Sequence, residues 1–161
     1  MCASFLKGEG IKQVMLIYDL NANPLNSNEW AFPLTECFHI TSFALSIGTI
    51  ALVDLRLLGL GMRHQTAGQI VKDTSLWTLA GFIIVIFSGL LIFSSDPIHY
   101  LYNQAFRFKV TALTLGIIYN YTIHRKVALS NSSGGTGALV GGISVLLWIS
   151  VVFSGLWIAF I

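Results

Sequence analysis

Apolar residues in this chain gather into four long runs, over residues 30–57, 76–93, 105–124 and 138–161, separated by short polar stretches. At about 1.5 Å per residue these runs reach about 27–42 Å, enough to cross a hydrocarbon layer about 30 Å thick. They predict four membrane-spanning helices. Residues 1–29 are different: Ile11, Val14, Met15, Tyr18 and Leu20 suit a short helix lying in the membrane interface, ended by the Asn/Pro-rich NANPLNSN. The polar, glycine-containing stretch 58–75 reads as a linker outside the membrane, SSDPIHYLYNQ as a surface turn, and SNSSGGTG as a flexible loop. Asp96 followed by Pro97 is a helix-start signal. Four spans with short connections give an all-α, up-down four-helix bundle as the expected architecture: an interfacial segment 1–29, then a bundle 30–161.

Composition supports this class. Of 161 residues, 55% are hydrophobic and 10% charged, against about a quarter charged in a soluble domain. The net charge of +2 is small and scattered, which argues against a nucleic-acid partner. Cys2 and Cys37 form neither a metal spacing nor a disulfide framework. Arg56, Arg63, Lys72, Arg125 and Lys126 fall after the first and third spans, whereas Lys7, Lys12, Arg107 and Lys109 fall on the other side. This slight excess places both termini outside, periplasmic in a bacterium.

The first span carries the chemistry. On a helical wheel Thr35, Glu36, His39, Ser42, Ser46 and Thr49 share one side, with Phe43 and Ile50 between them. Cys37, Thr41, Ala44, Gly48 and Ala51 form a second, small-residue side suited to close helix contact. His39 lies about 13 Å below Trp30, where an imidazole must find a partner. Asp54 and Arg56 mark the far end, which leaves Glu36 as the only acidic residue deep within a span. On the third span Lys109, Ala112, Gly116, Asn120 and, more loosely, His124 share a stripe. On the fourth, Gly137, Gly141, Ser144, Trp148, Gly155 and Ala159 make a small-residue seam with one large aromatic in it.

Glu36 and His39 match the Glu-x-x-His element of di-iron bundles, but the second element and two further glutamates are missing. Axial ligation of haem b is the better match. His39 is its first candidate ligand, followed by His99 and His124. His39 with His99 makes an outer pair, and His124 with the linker residue His64 a weaker inner one. His39 and His124 lie at opposite depths and do not share one iron. Glu36 would orient an imidazole or carry a proton, and Arg107 or Lys109 would hold a propionate. Against this stands the plain alternative of a histidine hydrogen-bonded to a carboxylate, with Arg107 and Lys109 reaching for head groups.

The run WAFPLTECFHITSFALSIGTIALVDLRLLGLG resembles the opening of a family of small bacterial four-span membrane proteins known as a domain of unknown function. The likeness continues through SGLLIFSSDPIHYLYNQAFRFK, NYTIHRK and SGLWIAF. It implies a bacterial inner-membrane protein of this architecture, and it brings no activity or site residues.

The leading expectation is therefore a membrane-embedded haem b redox subunit passing electrons between a quinone pool and a partner, with quinone as a second candidate cofactor. The alternative is a cofactor-free accessory subunit or homo-oligomer packed through its small-residue seams, in either case a component of the lipid bilayer. A proton-conducting element using Glu36 and His39 ranks last, because no discontinuous-helix pair or inverted repeat is present. No nucleophile–base set of a hydrolase is visible.

Overall fold

The computed structural model describes residues 23–62, 64–130 and 134–160, and the expected interfacial helix and Cys2 lie outside them. The described residues are helical and contain no strand. A short α1 (Pro24–Ser27) leads into α2 (Ala31–Leu57), followed by α3 (Ala67–Ser95), a short α4 (Pro97–Tyr102), α5 (Gln104–Tyr119), a π turn (Asn120–His124), α6 (Arg125–Leu129) and α7 (Gly135–Trp157). The helices α2, α3 and α7 are long and apolar enough to cross a membrane. Between α3 and α7, helix runs unbroken from Gln104 to Leu129 through the π turn.

Local signals explain most of the boundaries. Asp96 accepts a hydrogen bond from the His99 amide with Pro97 at the first helical position, and Asn103 accepts one from Phe106 to start α5. α3 begins nine residues before the expected 76. Thr66 accepts from the Gln69 amide at 3.2 Å, and Gln69 Oε1 accepts from the Thr66 amide at 2.9 Å. This reciprocal cap starts a helix within what composition alone marks as linker. Its first turns bury Ala67, Ile70 and Val71 against Val53 and Ala128.

α2 packs along α3, while α7 closes on α5 and on α2. The α2–α3 contact is close because Gly81 faces Ser46 and the Ser42 carbonyl. Its hydroxyls are bonded internally: Ser46 Oγ donates to the Ser42 carbonyl, and Thr49 and Thr78 hydroxyls meet at 2.8 Å. A central apolar layer of Ile50, Phe82, Ala112, Trp148 and Val151 fills the middle, with Phe82 stacked on Trp148 at 5.5 Å between centroids. A belt of large apolar side chains, among them Phe38, Ile83, Phe87, Leu115, Leu146 and Phe153, faces outward. Such a surface suits lipid.

Most of the expected inward positions are buried. Ser42, Ser46 and Thr49 of α2, Ala112, Gly116, Asn120 and His124 of the third helical stretch, and Gly137, Gly141, Ser144 and Trp148 of α7 are all buried. The small-residue side of α2 turns outward instead: Cys37, Thr41, Ala44 and Gly48 are exposed, and nothing lies near Gly48. The polar side needs internal partners and takes the contact with α3, which leaves the small side to the surroundings.

Candidate functional site

The centre of the polar chemistry is Asp54, not Glu36. Asp54 and His124 are each 2% exposed. His124 Nε2 lies 2.6 Å from Asp54 Oδ1, and Ser144 Oγ donates to Oδ2 at 2.9 Å. A carboxylate accepts, so Nε2 is the protonated nitrogen of this contact. One carboxylate thus ties α2 to the π turn and to α7. Glycine permits the approach: a methyl group on Gly141 would stand 3.2 Å from the Asp54 carbonyl and 3.1 Å from Leu57 Cβ. One turn on, Ser144 reaches the carboxylate.

The π turn presents the imidazole. Its widened backbone closes with the Arg125 amide donating to the Asn120 carbonyl, and Asn120 and His124 are both buried. Such turns are frequent at functional sites. Tyr119 at its start donates to the Val140 carbonyl at 3.0 Å, pinning the turn to α7. Beside it lies a cavity of ≈ 30 Å³ lined by Thr49, Thr74, Ser75, Thr78, Asn120 and His124, with Tyr121 and Arg125 at its rim. A second, apolar cleft of ≈ 190 Å³ lies between α2 and α7 and touches Asp54 from the other side.

The residues singled out from sequence divide between the two ends of the bundle. Glu36 is exposed and His39 half-buried. His39 Nδ1 lies 2.9 Å from Ser88 Oγ, and Gly89 leaves room for the ring. Ser88 donates to the Ile84 carbonyl at 2.6 Å, so its oxygen is free to accept from Nδ1–H. The Lys109 ammonium lies 5.9 Å from the centre of the Phe43 ring, beside Gly155, within electrostatic reach of Glu36 and His39. Arg107 is exposed. His99 is exposed on α4, edge-on to Tyr100. The Tyr100 hydroxyl is held above the usual tyrosine range, mainly by burial and further by the Glu36 and Asp96 carboxylates, against a hydrogen bond with Ser95.

The structure spreads the candidate ligands His39, His99 and His124 along the bundle. Fifteen residues of α2 separate His39 from Asp54, the partner of His124, which is about 22 Å of rise. His99 stands on α4, beyond the end of α3, which finishes seven residues or about 10 Å past the level of Ser88. His64 is exposed in the linker, while His124 is enclosed. His39 and His99 thus lie toward one end of the bundle and His124 toward the other. Among the described residues no three of His, Cys, Asp and Glu gather as a metal site.

Asp54 went unassigned because it stands near the end of the apolar run beside Arg56, where a charge normally marks exit from the membrane. A signal was present: Asp54 is 18 residues, five full turns, from Glu36 and so shares its side of the wheel. Arg56 does exit, donating from Nε to the Gln65 carbonyl at 2.6 Å.

Three helices of spanning length and an outward apolar belt suit a helical membrane protein. Within that class the chain belongs to a family of unknown function, DUF6644, which it matches over residues 31–161. No curated protein and no solved structure matches it.

Proposed function

We propose that this chain is a four-span, up-down helical bundle of a bacterial inner membrane, with both termini periplasmic, acting as an accessory subunit that takes up and releases a proton at Asp54–His124. The unbroken stretch from Gln104 to Leu129 supplies the fourth span, and the outward small-residue side of α2 suits contact with another copy or a larger complex. The observation that carries the reading is a carboxylate and an imidazole, both enclosed, sharing a 2.6 Å contact across two helices. Intramembrane ionisable residues of this kind mark proton relays and substrate paths. The pair can store a proton on either partner while Ser144 holds the carboxylate in place. Infrared difference spectra of protein in lipid, recorded over a pH step from about 8 to 5 where histidine ordinarily titrates, test this. A carboxyl band that responds to pH and is lost in Asp54→Asn is expected; a pH-silent Asp54 rejects the reading.

One observation favours a second reading, the haem b redox subunit exchanging electrons with a quinone pool. Ser88 meets the His39 ring at Nδ1, the outer hydrogen bond typical of a metal-binding imidazole. The second axial group would come from His99 or from another copy or subunit, with Lys109 near enough to meet a propionate. A reduced-minus-oxidised absorption spectrum of the purified protein decides it, and no Soret or alpha-band signal ends it.

A further inference from the structure

The cavity beside His124 has a donor and acceptor balance that specifies its occupant. Four hydroxyls line it, and backbone carbonyls claim their protons. Thr74 donates to Ile70 at 2.7 Å, Ser75 to Lys72 at 3.0 Å, Thr78 to Thr74 at 3.0 Å and Thr49 to Ser46 at 2.8 Å. The mutual contact of Thr49 and Thr78 takes at most one proton away from these. The oxygens thus offer lone pairs to the cavity, while the Asn120 amide and the Arg125 guanidinium offer N–H groups at its edge. A species that both donates and accepts suits this lining best. Water does both, and ≈ 30 Å³ exceeds the roughly 10–15 Å³ that one molecule needs. A metal cation is disfavoured by Arg125 and by the lack of a carboxylate on the cavity wall.

Access is uneven. Tyr121 is exposed and Thr74, Ser75 and Arg125 are half-buried, so the cavity is open at that rim. Toward His39 the polar seam is closed. Gly81 lets α3 sit directly on Ser46 and the Ser42 carbonyl, and the layer of Ile50, Phe82, Trp148 and Val151 fills the space beside them. The cleft on the α7 side of Asp54 is lined, apart from Asp54 itself, by apolar groups including Ile47, Ala51, Val145 and Trp148, which offer water no further hydrogen-bond partner.

The geometry points to a one-sided water inlet: water in the cavity between α3 and the π turn exchanges protons with His124 from the linker end, and no path continues to the His39 end. Nε2 is committed to Asp54, which leaves Nδ1 as the second exchange position of the ring. The titratable and charged groups around His124 are Asp54 from α2 and Tyr119, Tyr121 and Arg125 from its own helical stretch; α3 and α7 present hydroxyls and apolar groups there. This inlet deepens the proton-exchange reading, and it separates proton storage from proton conduction.

Water-edited solid-state NMR of ¹⁵N-histidine-labelled protein in lipid bilayers tests it, with His124 assigned by its loss in His124→Gln. Rapid polarisation transfer from water to the His124 ring is expected, slowed several-fold in Thr78→Val and in Thr74→Val, each nearly isosteric and each removing one acceptor oxygen. Absence of transfer in the unaltered protein, or equal transfer in both variants, overturns the inlet even where Asp54 responds to pH. Conversely, a pH-silent Asp54 with a hydrated His124 rejects the proton reading and leaves the water site standing. Liposomes under a potassium diffusion potential supply the second measurement: proton flux equal to that of protein-free vesicles is expected, and sustained flux overturns the one-sided closure.

Discussion

Gly81 on α3 and Ser46 on α2 meet so closely that a methyl group added to the glycine would run into the serine hydroxyl and stop 3.0 Å from the Ser42 carbonyl oxygen. Ser46 can turn away, but backbone cannot, so the two helices must separate. Gly81→Ala is expected to destabilise the folded protein by about 1–3 kcal/mol, the usual cost of overpacking. Gly48→Ala, on the outward side of the same pair, meets nothing within 4 Å and should leave stability level or raise it by about 0.5–1 kcal/mol through helix propensity. Thermal unfolding in one detergent compares the two; equal losses would show that the glycines are not distinguished by contact.

The buried pair should respond in graded steps. Removing one partner of an enclosed pair costs about 3–5 kcal/mol, so Asp54→Ala should fall in that range. Ser144→Ala removes one interhelical hydrogen bond and should cost about 0.6 kcal/mol, as such bonds average in membranes. The double change Asp54→Leu with His124→Leu should recover most of the loss, because it leaves no unpaired charge and only the Ser144 hydroxyl without its partner. Equilibrium unfolding in mixed micelles measures all three. A double variant as weak as Asp54→Ala would mean that the pair itself is needed to assemble the bundle.

Tyr119→Phe removes only the hydroxyl that donates to Val140. A loss of about 0.6 kcal/mol is expected in the same unfolding measurement. Because this bond pins the π turn, amide exchange at Asn120–His124 should rise while α3 is unaffected. Unchanged exchange there would separate the turn from its tether.

The cap at Thr66 explains the early start of α3, so its loss should be local. Thr66→Ala should cost about 1 kcal/mol and Thr66→Ser much less. Hydrogen exchange should increase over Ala67–Val71 and not near Ser88. Protection retained throughout in Thr66→Ala would assign the early start to tertiary packing alone.

Periodicity within single helices gave much of the interior in advance. The stripe Lys109, Ala112, Gly116, Asn120, His124 and the seam Gly137, Gly141, Ser144, Trp148 were readable because each repeats on one helix face. The link between them was not, since Asp54, His124 and Ser144 lie 70 and 90 residues apart in sequence, and no single wheel shows which faces meet. Asp54 also stands where a charge ordinarily signals an exit, and the widening of the backbone at Asn120–His124 has no compositional marker. Glu36 and His39, prominent by depth alone, prove to be one exposed and one half-buried. The cap at Thr66 and Gln69 fits a known spacing but sat within a stretch whose polarity outweighed it.

The lengths of the helices bear on where the Asp54–His124 pair resides. α2 has 27 residues and α3 has 29, about 40 and 43 Å of helix against a hydrocarbon layer of about 30 Å. They must tilt or protrude. With α2 centred in the bilayer, Asp54 stands about 15 Å from the midplane, level with the boundary where head groups begin. Bilayer thickness and the charge of the nearest leaflet then become part of the site's own electrostatics. The same pair in a thinner or more anionic membrane would sit in a different field, with no change in sequence.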